Sequence, residues 1–358
     1  MQNDRQVVVA VDAMGSDLGP REVMEGVRRF LGRRDSKGVA VVAVGDGAIL
    51  GPMVESPCFS KFSERLSLHH AGEIIAMDES PTWAIRHKKD ASMARAVELV
   101  CTGAADAVLS CGNTGALVAL GTIRIRPMDY LERPALGAVI PAFESHFILL
   151  DVGANPTPTA RQLVKNAILG SHYCRMAMGI ELPRVGLLSI GTEDGKGTES
   201  VQVAHDELKK ITDFINYVGL VEGFQLFSNE VDVVVCDGFV GNVLLKAMES
   251  IAKQLKSYFK KELFKNPLRI LGCLFLRGAI GDIRGKLRTD KYGGAPLLGL
   301  NKPVFKAHGS SDCRAIEHAI AIAARFVREE NMQNLRESIE KAEEFLSTSS
   351  QQFTRNNL

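Results

Sequence analysis

Short apolar runs recur along this chain, each closed by glycine and polar residues and followed by a segment whose apolar residues fall three and four apart. Gln6 to Val11 and Val39 to Val44 are valine-rich and nearly unbroken, the pattern of strands covered on both faces. Between them, the spacing of Val23, Val27 and Phe30 predicts a helix over 20–31. Leu66 to His70 reads as a third strand, and a turn at Met77 to Pro81 leads into a helix over 91–100. Further strands are expected at 107–110, 136–140, 147–150, 185–190 and 231–236, with helices over 116–123, 160–178 and onward from the last of these strands. Two more helices, 314–328 and 333–345, precede a polar tail expected to fray. Buried strands alternating with amphipathic helices predict an open α/β sheet, mostly parallel, with helices on both faces.

In such sheets ligands gather beyond the C-terminal ends of the strands. Loops of the right composition begin there at Asp12, Gly112, Asp151, Gly191, Asp237 and Lys306, and they are expected to open on one edge as a single site. The last lies in the stretch from Lys291-Tyr292-Gly293-Gly294 through Lys306-Ala307-His308-Gly309-Ser310-Ser311, rich in glycine, hydroxyls and cations. Its first half reads as a hinge and its second half as one wall of an anion site.

Between 253 and 288 the pattern changes. Ten Lys or Arg stand against two acids, interleaved with apolar residues that include Leu271, Leu274 and Phe275. A basic amphipathic segment of this kind suits a bilayer interface or an acidic partner, and equally a helix packed on its own domain or on a second subunit. The chain therefore divides into an α/β unit over 1–330, carrying a helical insertion over 243–290, and a C-terminal helix and tail over 331–358.

Composition narrows the classes. With 358 residues, 46% hydrophobic and 24% charged, the chain can bury a large core. A net charge of +1 gives no reason to expect nucleic acid. Seven scattered cysteines without a Cys-x-x-Cys pair argue against a disulfide framework and fit a reducing cytoplasm. Neither a signal peptide nor an apolar run long enough to span a bilayer is read. The common nucleotide fingerprints are absent, and no metal or other cofactor is expected.

Among candidate groups, Lys196 and Lys306 are cations on glycine-bearing loops, suited to an anion. His308 has a side chain able to move a proton near neutral pH. Gly15, Gly112, Gly115 and Gly195 bring backbone N–H groups close to an anion or simply make turns. Asp12, Asp151 and Asp237 bind a cation or cap and orient loops, and Cys111 is a nucleophile or a small buried residue. Arg86, Lys88 and Lys89 form a second basic patch.

The runs Val11-Asp12-Ala13-Met14-Gly15-Ser16-Asp17, 110–117 (SCGNTGAL), 237–244 (DGFVGNVL), 292–299 (YGGAPLLG) and 306–311 (KAHGSS) closely resemble the bacterial phosphate acyltransferases of phospholipid synthesis. The resemblance runs in order from about Val7 to about Phe326. It implies a three-layer α/β/α sandwich related to phosphotransacetylases and isocitrate-type dehydrogenases, a homodimer, and peripheral attachment to the inner face of the cell membrane. It also implies transfer of a fatty acyl chain from acyl carrier protein to orthophosphate, giving acyl phosphate for a downstream glycerol-3-phosphate acyltransferase. Cys111, Asp312 and Ala91 depart from residues usual in that family. On this reading Lys196, Lys306, His308 and Asn113 carry the chemistry, Asn113 and Asn242 donating hydrogen bonds and the helix N-termini near Gly112 and Gly238 offering N–H groups to the oxyanion. Asp12, Gly15, Gly112, Thr114, Asp237, Gly238, Asn242, Gly309 and Ser310 line the substrate site. Leu271, Leu274 and Phe275 meet the membrane, and Arg86, Lys88 and Lys89 meet the carrier. A phosphotransacetylase acting on acetyl-coenzyme A and a non-catalytic membrane scaffold stay open as alternatives.

Overall fold

The computed structural model describes residues 5–286, 294–328 and 331–356. In the first third, β1 (Val7–Asp12), β2 (Val39–Gly45), β3 (Leu66–His70) and β4 (Ala107–Ser110) alternate with α1 (Pro20–Leu31), α2 (Gly47–Val54), α3 (Pro57–Ser60), α4 (Pro81–His87) and α5 (Ser92–Cys101). After α6 (Thr114–Leu120) come the hairpin strands β5 (Ala135–Pro141) and β6 (His146–Leu150), then α7 (Ala160–Met178), β7 (Arg184–Leu188), α8 (Glu199–Leu208), β8 (Asn216–Val221) and β9 (Val233–Val235). The last third holds α9 (Gly238–Leu263), α10 (Pro267–Phe275), α11 (Arg277–Lys286), β10 (Ala295–Leu298), β11 (Val304–Lys306), α12 (Cys313–Arg328) and α13 (Asn331–Asn356).

All these strands join one 11-stranded sheet in the order β3-β2-β1-β4-β11-β10-β5-β6-β9-β7-β8. Side chains alternate between its faces. Val9 and Val11 of β1 enter the cluster that holds Phe30, Leu163, Leu208, Ile320 and Ile339, from α1, α7, α8, α12 and α13. Ala10 enters the cluster that holds Val97 and Leu117, from α5 and α6, with Leu244 and Met248 of α9 packed against it. This is the expected three-layer sandwich.

The single edge expected for the six loops is corrected by the pairing. β3, β2, β1, β4 and β11 are mutually parallel. β10 is antiparallel to both β11 and β5, β5 is antiparallel to β6, and β6, β9, β7 and β8 are parallel to one another. Strand direction therefore reverses across the middle of the sheet, and the loops after β6, β7 and β9 point opposite to those after β1, β4 and β11. Register brings the two edges close. Lys306 pairs with Ala295 and Leu297 with Leu136, while Leu150 pairs with Gly137, so the two edges lie only a few residue steps apart across β10 and β5.

Three further differences have local causes. β8 escapes the periodicity because it is an edge strand with a register irregularity opposite Val185/Gly186 and a positive φ of 105° at Gly219. The helix expected to stop at Phe345 continues to Asn356. Within the expected insertion over 243–290, Leu244, Leu245 and Met248 still pack on the core, whereas every residue from Glu249 to Lys261 is exposed. Lys291, Tyr292 and Gly293 of the expected hinge lie outside the described residues.

Candidate active site

On the first edge three strand ends are tied to one another. The Asp12 carboxylate is buried, accepting from Ser110 Oγ at 2.6 Å and from the Met14 N–H at 3.2 Å, while Ser110 Oγ accepts from the Gly112 N–H at 3.0 Å. Gly15 sits so close that a Cβ there would stand 2.7 Å from both Asp12 Oδ2 and the Gly112 nitrogen. The third loop joins through Gly309, whose carbonyl accepts from the Asp17 N–H at 2.9 Å and from Ser16 Oγ at 3.2 Å.

Lys306 is only 7% exposed, and its Nζ donates to the Cys111 carbonyl at 2.9 Å and the Ala307 carbonyl at 2.5 Å. An ammonium has three donors, so one remains beyond these two. Burial, reinforced by Lys246, lowers the Lys306 pKa to about 8 against the opposing pull of Cys111, Asp12 and Asp17. Burial also pushes the Cys111 thiol up to about 12, leaving it protonated and inert near neutral pH, which agrees with the small-buried-residue reading. His308 is exposed, and its Nδ1 accepts from the Ser310 backbone N–H at 3.2 Å and contacts Ser310 Oγ at 2.8 Å. A neutral His308 therefore carries its proton on Nε2.

Several expected ligand groups are committed elsewhere. Asn113 Nδ2 donates to the carbonyls of Ala76, Met77 and Glu79 at 3.0–3.2 Å, and its Oδ1 accepts from the Ala116 N–H as the N-cap of α6. Its amide is a clamp on the 76–79 turn with no proton left for a substrate, so the expected hydrogen-bond donation from Asn113 is withdrawn. Thr114 follows it in the first turn of α6 and is exposed. Gly112 donates to Ser110, and the Gly238 N–H donates to the Asn155 carbonyl at 2.9 Å, so neither of these two N–H groups is free for an oxyanion.

On the opposite edge, Asp151 is fully buried and accepts from the N–H groups of Leu136, Gly153, Ala154 and Asn155. Burial raises its pKa against the pull of those donors. Asp237 caps α9, accepting from the Val240 N–H at 2.8 Å. Asp12, Asp151 and Asp237 thus each orient a loop or cap a helix. Asn242 is exposed near the start of α9 beside Gly153. Lys196 is exposed on the loop after β7.

What connects the two edges is not legible in the sequence. Lys246 and Glu249, on the third and fourth turns of α9, pair at 2.8 Å, and Glu249 Oε2 lies 4.0 Å from His308 Nε2. α9 thus starts beside Asp151 and passes the His308 loop before leaving the body. In the sequence these two charges look like the solvated face of a basic helix, and only the pairing of i with i+3 hinted at more. In the basic patch, Lys88 is tied to Glu79 and to the Ile74 carbonyl, both at 2.6 Å, whereas Arg86 and Lys89 are exposed. On the projecting helices Leu268 and Phe275 are 81% and 84% exposed and Leu271 is half-exposed, while the Leu274 side chain lies outside the described residues. No described helix is long and apolar enough to cross a membrane.

Comparison with known proteins adds an independent line. A family profile described as "Fatty acid synthesis protein" matches residues 7–334. A phosphate acyltransferase of Thermoanaerobacter pseudethanolicus is 40% identical over 339 residues, covering 95% of this chain and 99% of the relative. One from Brevibacillus brevis is 40% identical over 334 residues, covering 93% and 97%. Among solved structures, a phosphotransacetylase from Streptococcus pyogenes superposes with TM-score 0.60 at 16% identity, covering 90% of this chain and 94% of the other. A EutD phosphotransacetylase from Staphylococcus aureus gives 0.57 at 14%, covering 91% and 96%. At such identities these structures speak for the fold alone.

Proposed function

This chain belongs to the fatty acid synthesis protein family, to which the phosphate acyltransferases belong, and from that premise we propose that it moves a long-chain fatty acyl group from acyl carrier protein to orthophosphate. The near full-length similarity to curated phosphate acyltransferases carries this reading. A phosphate oxygen attacks the thioester carbonyl carbon, the C–S bond breaks, and the carrier's thiolate departs to take up a proton. The product is acyl phosphate. Phosphate is already partly dianionic at neutral pH, so the protein's task is to bind it, aim it and stabilise the oxyanion.

Lys306 supplies a desolvated cation at the first edge, and Lys196 a mobile one at the second. His308 offers Nε2–H to phosphate or to the departing sulfur, and of the two amides expected to donate hydrogen bonds Asn242 alone keeps that role. Gly15, Gly309 and Ser310 set how closely the backbone approaches the substrate. Lys246 and Glu249 join the site as the pair facing His308. The donor is tested by offering acetyl-coenzyme A and a long-chain acyl carrier protein thioester separately to the purified protein. The carrier thioester is expected to be used at least about tenfold better; preference for acetyl-coenzyme A identifies a phosphotransacetylase instead.

The carrier is acidic and meets Arg86 and Lys89, with Lys88 contributing less because Glu79 offsets its charge. The exposed apolar residues on α10, flanked by Lys260, Lys261, Lys265, Arg269 and Arg277, support peripheral docking on the inner leaflet of the membrane by a homodimer. Each fully buried Leu or Phe is worth about 1.5–3 kcal/mol. Changing Leu271, Leu274 and Phe275 together to glutamine is therefore expected to cut sedimentation with anionic phospholipid vesicles by at least about tenfold. Equal sedimentation of variant and wild type removes this segment from the membrane contact.

A further inference from the structure

The loop that carries Lys196 is gripped from one side by a single helix face. α8 presents Gln202, His205 and Lys209 at spacings of three and four, so all three lie on one stripe. Gln202 Nε2 donates to the carbonyl of Gly195 at 2.7 Å and to that of Gly197 at 3.1 Å, the two residues flanking Lys196. His205, buried, and Lys209 both reach Asp194 Oδ1, at 2.9 and 2.7 Å. A carboxylate only accepts, so His205 Nε2 carries the proton and its Nδ1 accepts from the Tyr217 hydroxyl at 2.6 Å. That second bond fixes the imidazole from β8.

The loop is shaped to match. Gly195 and Gly197 have φ of 87° and 93°, in the region that favours glycine. A Cβ on Gly197 would stand 2.8 Å from Val201 Cγ1, and one on Gly191 2.9 Å from Lys196 Cγ. The Lys196 stem thus lies over Gly191, while its own peptide neighbours are pinned by Gln202. Thr198 then caps α8, making loop and helix one unit.

We propose that Gln202 is a positioning residue that holds the Lys196 ammonium in its working place, with His205 as its second point of support; this rests on Lys196 belonging to the site as proposed above. Gln202→Glu is the sharpest probe, being nearly isosteric but unable to donate to either carbonyl. It is expected to lower kcat for acyl transfer to orthophosphate about tenfold to a hundredfold, the cost of misplacing a reacting group by about 1 Å. Thermal stability should move by only a few degrees. His205→Gln, which keeps a donor toward Asp194, is expected to retain several-fold more activity than His205→Ala. In a Lys196→Ala background Gln202→Glu is expected to add less than about a twofold loss, because both changes act on one group. Full activity of Gln202→Glu, or the same loss with and without Lys196, overturns the proposal. Near-normal turnover by Lys196→Ala would instead remove Lys196 from the reaction. Amide hydrogen exchange over residues 191–198, faster in Gln202→Glu than in wild type, tests the grip separately; unchanged exchange shows that Gln202 does not order the loop.

Discussion

Replacing Lys306 by methionine is expected to lower turnover about 10²- to 10³-fold, the cost of removing a preorganised cation from a desolvated site. The fold should survive. Two carbonyls, of Cys111 and Ala307, lose a donor at about 1–3 kcal/mol each, but a buried charge is removed at the same time. The same residue sets a pH dependence with a definite sign. Its ammonium is present below about pH 8, so wild-type activity is expected to fall as pH rises through that value, whereas the small residual activity of Lys306→Met stays flat there. Stability runs the other way. The unfolded lysine keeps its proton up to about 10.5 and the folded one sheds it near 8, so between these values the unfolded chain binds more protons and stability rises with pH. The gain is at most roughly 3 kcal/mol, and chemical denaturation of wild type against Lys306→Met at pH 7.5 and 10, read as the difference, measures it. A wild-type rate that stays level to pH 10 would remove this lysine's charge from the chemistry.

Gly241→Ala is expected to be the most disruptive single methyl among the described glycines. Its Cβ would fall 1.9 Å from the Asp151 carbonyl oxygen and 2.9 Å from Cys236 Sγ, and the first of these is backbone that cannot step aside cheaply. A destabilisation of about 3 kcal/mol or more is expected. The first turn of α9 must lift off the Asp151 loop, carrying Asn242, Lys246 and Glu249 with it, so activity should drop even where the variant is folded. Gly272→Ala in α10 is the contrast. Nothing lies within 4 Å of its added methyl, and it is expected to be neutral or to stabilise by up to about 1 kcal/mol. Thermal melting of the two variants side by side decides the matter; an unshifted midpoint for Gly241→Ala contradicts the packing described for α9.

Much of the architecture was legible because local signals agreed with the global fold. The valine runs of β1 and β2 are buried on both faces, and α7 announces itself with Thr159 and Gln162, which form a capping box in the structure. The reversal of strand direction was not legible. It depends on β10 pairing antiparallel with β5, residues far apart in the chain, and no periodicity encodes which way a distant strand will run. Asn113 shows a related limit. A loop amide in a glycine-rich turn looks the same whether it faces a substrate or the carbonyls of its own 76–79 turn, and here it faces the latter. Lys306 does end a strand, as its sequence context indicates, yet its burial and its two carbonyl partners come from loops nearly two hundred residues apart. Conversely, the motifs that resemble the phosphate acyltransferases pointed to the family before any geometry, because several ordered loop sequences carry more information than any one loop's chemistry.

In the proposed reaction orthophosphate itself is the nucleophile that takes the acyl chain. Purified protein incubated with long-chain acyl carrier protein thioester and orthophosphate, with the products resolved by mass spectrometry, tests it most directly. Acyl phosphate is expected to form in step with free carrier thiol, only when phosphate is present, and to be lost in Lys306→Met. Thioester left intact, or cleaved to free fatty acid at a rate indifferent to phosphate, would contradict it.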